Sequence, residues 1–302
     1  MKKYLKDIIF LTILFIILFF VLLNSNYVSL RIDYSFNLWL TRIVPTILPT
    51  FVIVDLLLSS YLVSVFQKYF HINPILLISI ISGSPSNAYM LKGSDSNITK
   101  ILATTKYTGL VFTFNALKNI FNTRISILLI IINILCNLIL YFILKPDYYC
   151  NYQKHKNIID TLLSSIRNCM ITLIYILGLI MIFSLIPISM INNSFIKGLL
   201  YSLLEVTSSF EYLEYSTLSN SIKLLFSIIS LSTCGLCISM QIKSILSDTN
   251  YNYKEYIKYR LYHLIMFLVL GLILIWGNYT IFKFNIFFFY FFTCCFIVPC
   301  FY

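Results

Sequence analysis

The chain has 302 residues, of which 59% are hydrophobic and 11% charged, with a mean hydropathy of +0.88. A soluble domain carries roughly 25% charged residues. The composition therefore excludes a soluble globular protein and indicates one integral membrane domain, all-α and polytopic, in contact with a lipid bilayer. Lys and Arg outnumber Asp and Glu by 22 to 11, for a net charge of +11. These charges are scattered between apolar segments with no basic run or recognition motif, which excludes a nucleic-acid partner and reads as membrane-flanking charge that sets topology.

In chain order, Met1-Lys2-Lys3-Tyr4-Leu5-Lys6 precedes an apolar run from Ile8 to Leu23. No small-residue cleavage site follows it, so residues 1–30 read as an uncleaved signal-anchor span. Asn24 to Tyr34 reads as a polar turn. Arg42-Ile43-Val44-Pro45-Thr46-Ile47-Leu48-Pro49 then opens a span running to about Phe66, and two prolines four apart predict a distorted entry.

Residues 74–91 cannot be a crossing. A membrane-spanning helix needs about 20 apolar residues, and each arm of this stretch falls short on either side of Ser82-Gly83-Ser84-Pro85-Ser86-Asn87. Broken backbone at membrane depth is tolerated only where it is buried in protein or lines a wet cavity, so this is a re-entrant hairpin with its tip turned to something polar. Ile98 to Phe121 is interrupted by Lys100, Lys106, Asn115 and Lys118, with Thr108-Gly109 in its middle, and must face protein or water. Ile125 to Leu144 is a plain span. A polar connector at 146–164, carrying His155, divides the chain into repeats of 31–145 and 165–283.

In the second repeat an apolar span runs to about Met190. A further span, Ile196 to Tyr215, holds Glu205, Glu211 and Glu214. A second hairpin is expected at 222–246, with Ser232-Thr233-Cys234-Gly235 at its tip, then a span from Tyr256 to Trp276 and a C-terminal span at 284–302. Interrupted apolar segments in matching places of two halves point to a transporter binding site, and the distribution of Lys and Arg gives an inverted repeat.

Catalytic chemistry finds no support. There is no P-loop, no H-E-x-x-H and no nucleophile beside a base, so no enzyme and no cofactor are expected. Cys234-Gly235-Leu236-Cys237 is formally a C-x-x-C, but no second ligand pair accompanies it and no metal site is expected. His71, His155 and His263 lie scattered near segment ends, and His263, following Arg260, reads as interfacial.

The order and spacing of six stretches resemble one family. They are Arg42 to Pro49, Ser82 to Ala88, Thr108-Gly109-Leu110-Val111-Phe112, Ser165-Ile166-Arg167-Asn168, Leu203-Leu204-Glu205-Val206-Thr207 and Cys234 to Gln241. Together they resemble the YlbJ family of sporulation integral membrane proteins, within the group carrying a nucleoside-transporter-like gate domain. The likeness is divergent. Ser84 and Asn87 stand where the family has Tyr and Gly, Lys106-Tyr107 replace an Asn-rich stretch, and Leu110 replaces a Pro. Cys234 replaces a Gly, and Ser208-Ser209 replace Asn-Gly.

The resemblance implies transport of dipicolinic acid, a small planar dianion, across the outer forespore membrane of a sporulating bacterium. Half-helix N-termini and hydroxyl donors suit an anionic small molecule. The substrate site is accordingly expected at Ser82, Gly83, Ser84, Pro85, Ser86, Asn87, Lys106, Thr233, Cys234, Gly235 and Gln241, with Lys106 as counter-charge and Glu205 coupling a proton or cation. The residues leave open a nucleoside or other neutral-solute carrier, a non-transporting scaffold for sporulation, and homo-oligomerisation.

Overall fold

A computed structural model describes residues 2–58, 74–91, 97–146 and 158–279. His71, Asp95, His155 and the expected C-terminal span at 284–302 lie outside the described residues, as do 59–66 of the second span and 147–157 of the connector.

All regular elements among the described residues are helices. Helix α1 (Lys2–Leu23) precedes α2 (Ser25–Leu38), which continues through a π-helical turn (Trp39–Ile43) into α3 (Val44–Leu58). There follow α4 (Pro74–Ser82), α5 (Ser86–Leu91), α6 (Ile98–Thr104), α7 (Leu110–Ile120) and α8 (Thr123–Leu144). The second half contains α9 (Ile158–Ser184), α10 (Ser194–Leu204), α11 (Val206–Tyr215), α12 (Asn220–Thr233), α13 (Gly235–Ile245) and α14 (Tyr253–Tyr279). Among the described residues, five helical segments are long and apolar enough to cross a membrane: 25–57, 123–144, 158–190, 220–245 and 253–273. The chain is an all-α polytopic membrane protein.

The polar turn expected at Asn24 to Tyr34 is instead helix. Its charge is absorbed by packing: Arg31 Nε donates to the Ser184 carbonyl on α9 at 3.3 Å and its guanidinium lies 4.9 Å from the Tyr34 ring. The distortion expected at the two prolines is present. Pro45 has no N–H to give and its ring would meet the carbonyl four residues back, and the wider π turn lies immediately before it.

The two repeats share one plan. Each has a long helix (α3 or α9), a pair of short helices, a broken helix, and a closing span (α8 or α14). The broken helices are α6 with α7, parted at Thr105–Gly109, and α12 with α13, parted at Cys234. Of the five segments long enough to cross, 25–57 and 123–144 belong to the first half and 158–190, 220–245 and 253–273 to the second. The packing respects the shared plan: α5 meets α13 as α11 meets α7, and α6 meets α14 as α12 meets α8. Buried clusters follow suit. One joins Ile75, Ala88 and Leu91 of α4 and α5 to Ile242 and Ile245 of α13, and the other joins Val206 and Phe210 of α11 to Leu117 of α7.

One expectation is corrected. The second hairpin is not 222–246 but α10 and α11, within the stretch read as the span Ile196 to Tyr215. These helices have 11 and 10 residues, or about 16 Å each at 1.5 Å per residue, against a hydrocarbon core of about 30 Å. They lie along one another, with Tyr201 and Tyr212 rings 5.4 Å apart and Ser202 Oγ 3.2 Å from Ser209 Oγ. The Tyr212 hydroxyl donates to the Ser194 carbonyl at the open end. By contrast α12 and α13 do not pack along each other; α12 lies on α14 and α10, and α13 on α9 and α10. The physical reason is Glu205, whose extended backbone (φ −150, ψ 121) ends α10 and starts α11.

Candidate functional site

Each hairpin tip closes on the break of its own repeat. At the first tip, Gly83 has φ +70, and a Cβ there would collide with the backbone of Gly109 and Thr108. At the second closure the glycine belongs to the break: Gly235 has φ +74 and a Cβ would stand 2.8 Å from the Leu204 carbonyl oxygen at the tip. Glycine is required at both positions because the backbone is left-handed and another backbone lies against it.

Breaking a helix leaves carbonyls without partners, and those of the first break can be followed one by one. The Ala103 carbonyl accepts from Arg260 Nη1 at 2.8 Å. That of Thr105 accepts from Asn87 Nδ2 at 2.8 Å, that of Lys106 from Asn137 Nδ2 at 3.4 Å, and that of Tyr107 from the Ser84 amide at 2.6 Å. At the second break Arg260 Nε and Nη2 both donate to the Ser232 carbonyl, at 3.1 and 2.5 Å. Lys106 Nζ donates to the Thr233 carbonyl at 2.5 Å and to Ser239 Oγ at 3.2 Å. Arg260 also donates to Asn137 Oδ1 at 2.8 Å and lies 3.1 Å from His263 Nδ1. A guanidinium has only donors, so Nδ1 accepts and the ring proton sits on Nε2.

Lys106 is 1% exposed, Arg260 5% and His263 0%. Neither basic side chain has a carboxylate partner among the described residues. Their charge is met by the carbonyl ends of α6 and α12, each the negative pole of a helix dipole. Arg260 and His263 are thus central, not interfacial.

Between the tips lies a cavity of about 60 Å³. It is bounded by Ser82, Ser84 and Pro85 of the first tip, Glu205, Val206 and Thr207 of the second, and Thr108 and Gly109 of the first break. Thr46 and Thr50 of α3, and Cys237 and Gln241 of α13, complete its polar lining. Ser82 Oγ, Ser84 Oγ and Gln241 Oε1 are buried with no hydrogen-bond partner among the described residues. Glu205 is the one charged residue of this lining among the described residues. Its carboxylate accepts from the Thr207 and Ser208 amides at 2.9 and 2.5 Å, so it caps α11 and occupies the positive pole that a ligand's carboxylate would otherwise meet. The start of α7 carries no side-chain cap at Gly109, and Val111 and Phe112 of its first turn border the cavity. A second space of about 250 Å³, lined by Tyr89, Tyr175, Met240 and Ser244, shares Pro85 and Gln241 with the first.

Of the residues expected to bind substrate, Ser82, Ser84, Pro85 and Gln241 meet at this cavity, together with Glu205. The rest do not line it. Gly83 and Gly235 pack tip to break. Ser86 Oγ bonds the Gly83 carbonyl, Asn87 holds the first break, and Thr233 and Cys234 form the second. Lys106 reaches across to the other repeat, away from the cavity. Sequence reading missed Arg260, Asn137, Thr46, Thr50 and Thr108. An Arg within an apolar crossing is itself a functional signal, and Asn133 and Asn137, four apart in apolar α8, mark an inward polar stripe.

Comparison with protein families, with curated proteins and with solved structures finds no match to this chain.

Proposed function

We propose that the protein is a secondary carrier that takes a small polar solute between its two hairpin tips, the substrate being an organic dianion of the dipicolinate kind. The observation that carries this reading is the cavity where both tips and the first break meet, lined by hydroxyls with no partner among the described residues. Interrupted helices of two inverted repeats meeting at mid-membrane are where such carriers hold substrate. The uncapped start of α7 offers free N–H groups to an anion, and Ser82 and Ser84 offer hydroxyls. Glu205 adds a condition. Two carboxylates sharing a site do not both stay ionised without cost, so an incoming anion brings a proton to Glu205 or displaces it. A cavity of about 60 Å³ is far below the roughly 300–1,000 Å³ of pockets that enclose small organic ligands, so the tips must part to admit an organic acid. The resemblance to the YlbJ family supplies the named solute, dipicolinic acid, and the outer forespore membrane as the place.

A neutral solute such as a nucleoside is the second reading. Two facts favour it: the cavity's charged lining residue is a carboxylate, and Lys106 is turned away from it.

The test is uptake of labelled dipicolinate and of uridine by proteoliposomes holding the full chain, with Ser84→Phe to fill the cavity and Glu205→Gln to remove its charge. The carrier of an anion shows saturable dipicolinate uptake, driven by an inward proton gradient, lost in Ser84→Phe and uncoupled from pH in Glu205→Gln. Spores lacking the chain then contain no dipicolinate despite normal synthesis, and wild type restores it while Ser84→Phe does not. Uridine uptake in place of dipicolinate moves the conclusion to a neutral solute. Uptake of neither by folded protein sinks the carrier reading and leaves the scaffold.

A further inference from the structure

Carriers built from broken helices commonly hold their coupling cation at unwound carbonyls and at the C-terminal ends of half-helices. This chain has such a place at the end of α12. The Thr233 carbonyl and Ser239 Oγ converge there at 2.5 and 3.2 Å from a single point, and the face of the Tyr256 ring lies 5.1 Å from it. That point is occupied by Lys106 Nζ, which arrives from the break of the opposite repeat. An ammonium has three N–H groups, and a carbonyl, a hydroxyl and an aromatic face receive them, the last as a cation–π contact.

We propose that this is a monovalent-cation site whose ion is built into the chain: the Lys106 ammonium stands where a free alkali or ammonium ion would otherwise sit. Nothing negative is needed beyond the helix end and the ring, and no carboxylate is paired with Lys106 among the described residues. Because the amine is tethered to one break and bound to the other, it also ties the two repeats across the molecular centre. The consequence for function, which rests on the carrier reading above, is transport with no requirement for sodium.

The experiment measures thermal melting of the purified full chain in methylammonium, ammonium, sodium and choline chlorides at one ionic strength. Lys106→Ala vacates the site and Lys106→Met fills it with an apolar chain. The expected result is that Lys106→Ala melts lowest in choline and recovers by several degrees in methylammonium or ammonium, while wild type and Lys106→Met do not distinguish the four salts. Melting of Lys106→Ala that is the same in all four salts overturns the proposal. If that variant is not recoverable in choline, it is prepared in methylammonium. Recovery there alone supports the site, and recovery in neither salt overturns it. In proteoliposomes, wild-type uptake is equal in sodium and choline, and Lys106→Ala regains uptake only with the small cation. Absence of any wild-type uptake would count against the carrier, while the melting result would still judge the cation site.

Discussion

Replacing Gly235 with Ala tests the closure of hairpin tip on helix break, and the cost can be worked from the coordinates. The residue has φ +74, and an added Cβ would lie 2.8 Å from the Leu204 carbonyl oxygen, 3.0 Å from the Leu204 carbonyl carbon and 3.1 Å from Glu205 Cα. All three are backbone atoms, so no side chain can rotate away; the α10–α11 tip or the α12–α13 break must itself shift. A left-handed backbone costs an L-residue about 1–2 kcal/mol, and overpacking a tight site costs about 1–3 kcal/mol more. Gly235→Ala should therefore lose about 2–5 kcal/mol. Gly178 on α9 is the control: it is exposed and a Cβ there meets nothing within 4 Å. Alanine at that position should gain up to about 1 kcal/mol of helix propensity. The assay is the fraction of detergent-purified full chain that still elutes as a folded species after stepwise heating. Gly178→Ala should survive at least as well as wild type and Gly235→Ala should fail several degrees earlier. Gly83→Ala, which tests the tip-to-break contact of the first half against Gly109, should behave like Gly235→Ala. If Gly235→Ala melts with wild type, or if the control Gly178→Ala falls as far as Gly235→Ala, the tip is not seated on the break as described.

Two further predictions address topology and the central network. If α10 and α11 form the hairpin and α12–α13 the crossing, single cysteines introduced at Asn192 and Ser219, both exposed, label from the same face of the membrane, while one at Asp248 labels from the other; labelling of Ser219 and Asp248 from one face would restore the hairpin to 222–246. Arg260→Met removes the donors to the Ala103 and Ser232 carbonyls and to Asn137 Oδ1 together, and stranding buried acceptors costs about 1–3 kcal/mol each. The variant should aggregate on size exclusion and Arg260→Lys should rescue it only weakly, because one ammonium cannot reproduce the fork; a monodisperse Arg260→Met would refute the network's role.

The reach of the sequence is clearest at residues 74–120. Short apolar arms around Ser82-Gly83-Ser84-Pro85 cannot cross a bilayer, and Lys106 cannot face lipid, so a hairpin followed by an inward-facing broken segment was readable from length and charge. Which residues the cavity would gather was readable only in part. Ser82 and Ser84 reach it; Lys106 does not, because nothing in its local sequence states that the nearest unpaired carbonyl belongs to residue 233. Arg260 was passed over for the same reason, since its partners at Ala103 and Asn137 are 157 and 123 residues away.

Composition by itself indicated a helical protein immersed in a bilayer, because long apolar segments without water pair their backbone groups within helices, whereas the interruptions at 74–91 and 222–246, matched in sequence, are not counterparts in the structure. The choice between 194–215 and 220–245 as the second hairpin was left to the tertiary structure. Both stretches are apolar with a polar break, and their local signals are equivalent. What separates them is contact made after folding: Gly198, where a Cβ would stand 2.7 Å from the Phe226 ring, and Ser209 Oγ, which lies 2.7 Å from Ser230 Oγ of α12. A carboxylate that turns back to cap its own helix ends one arm and begins the other, and only the packed neighbours decide that the chain reverses there instead of running on.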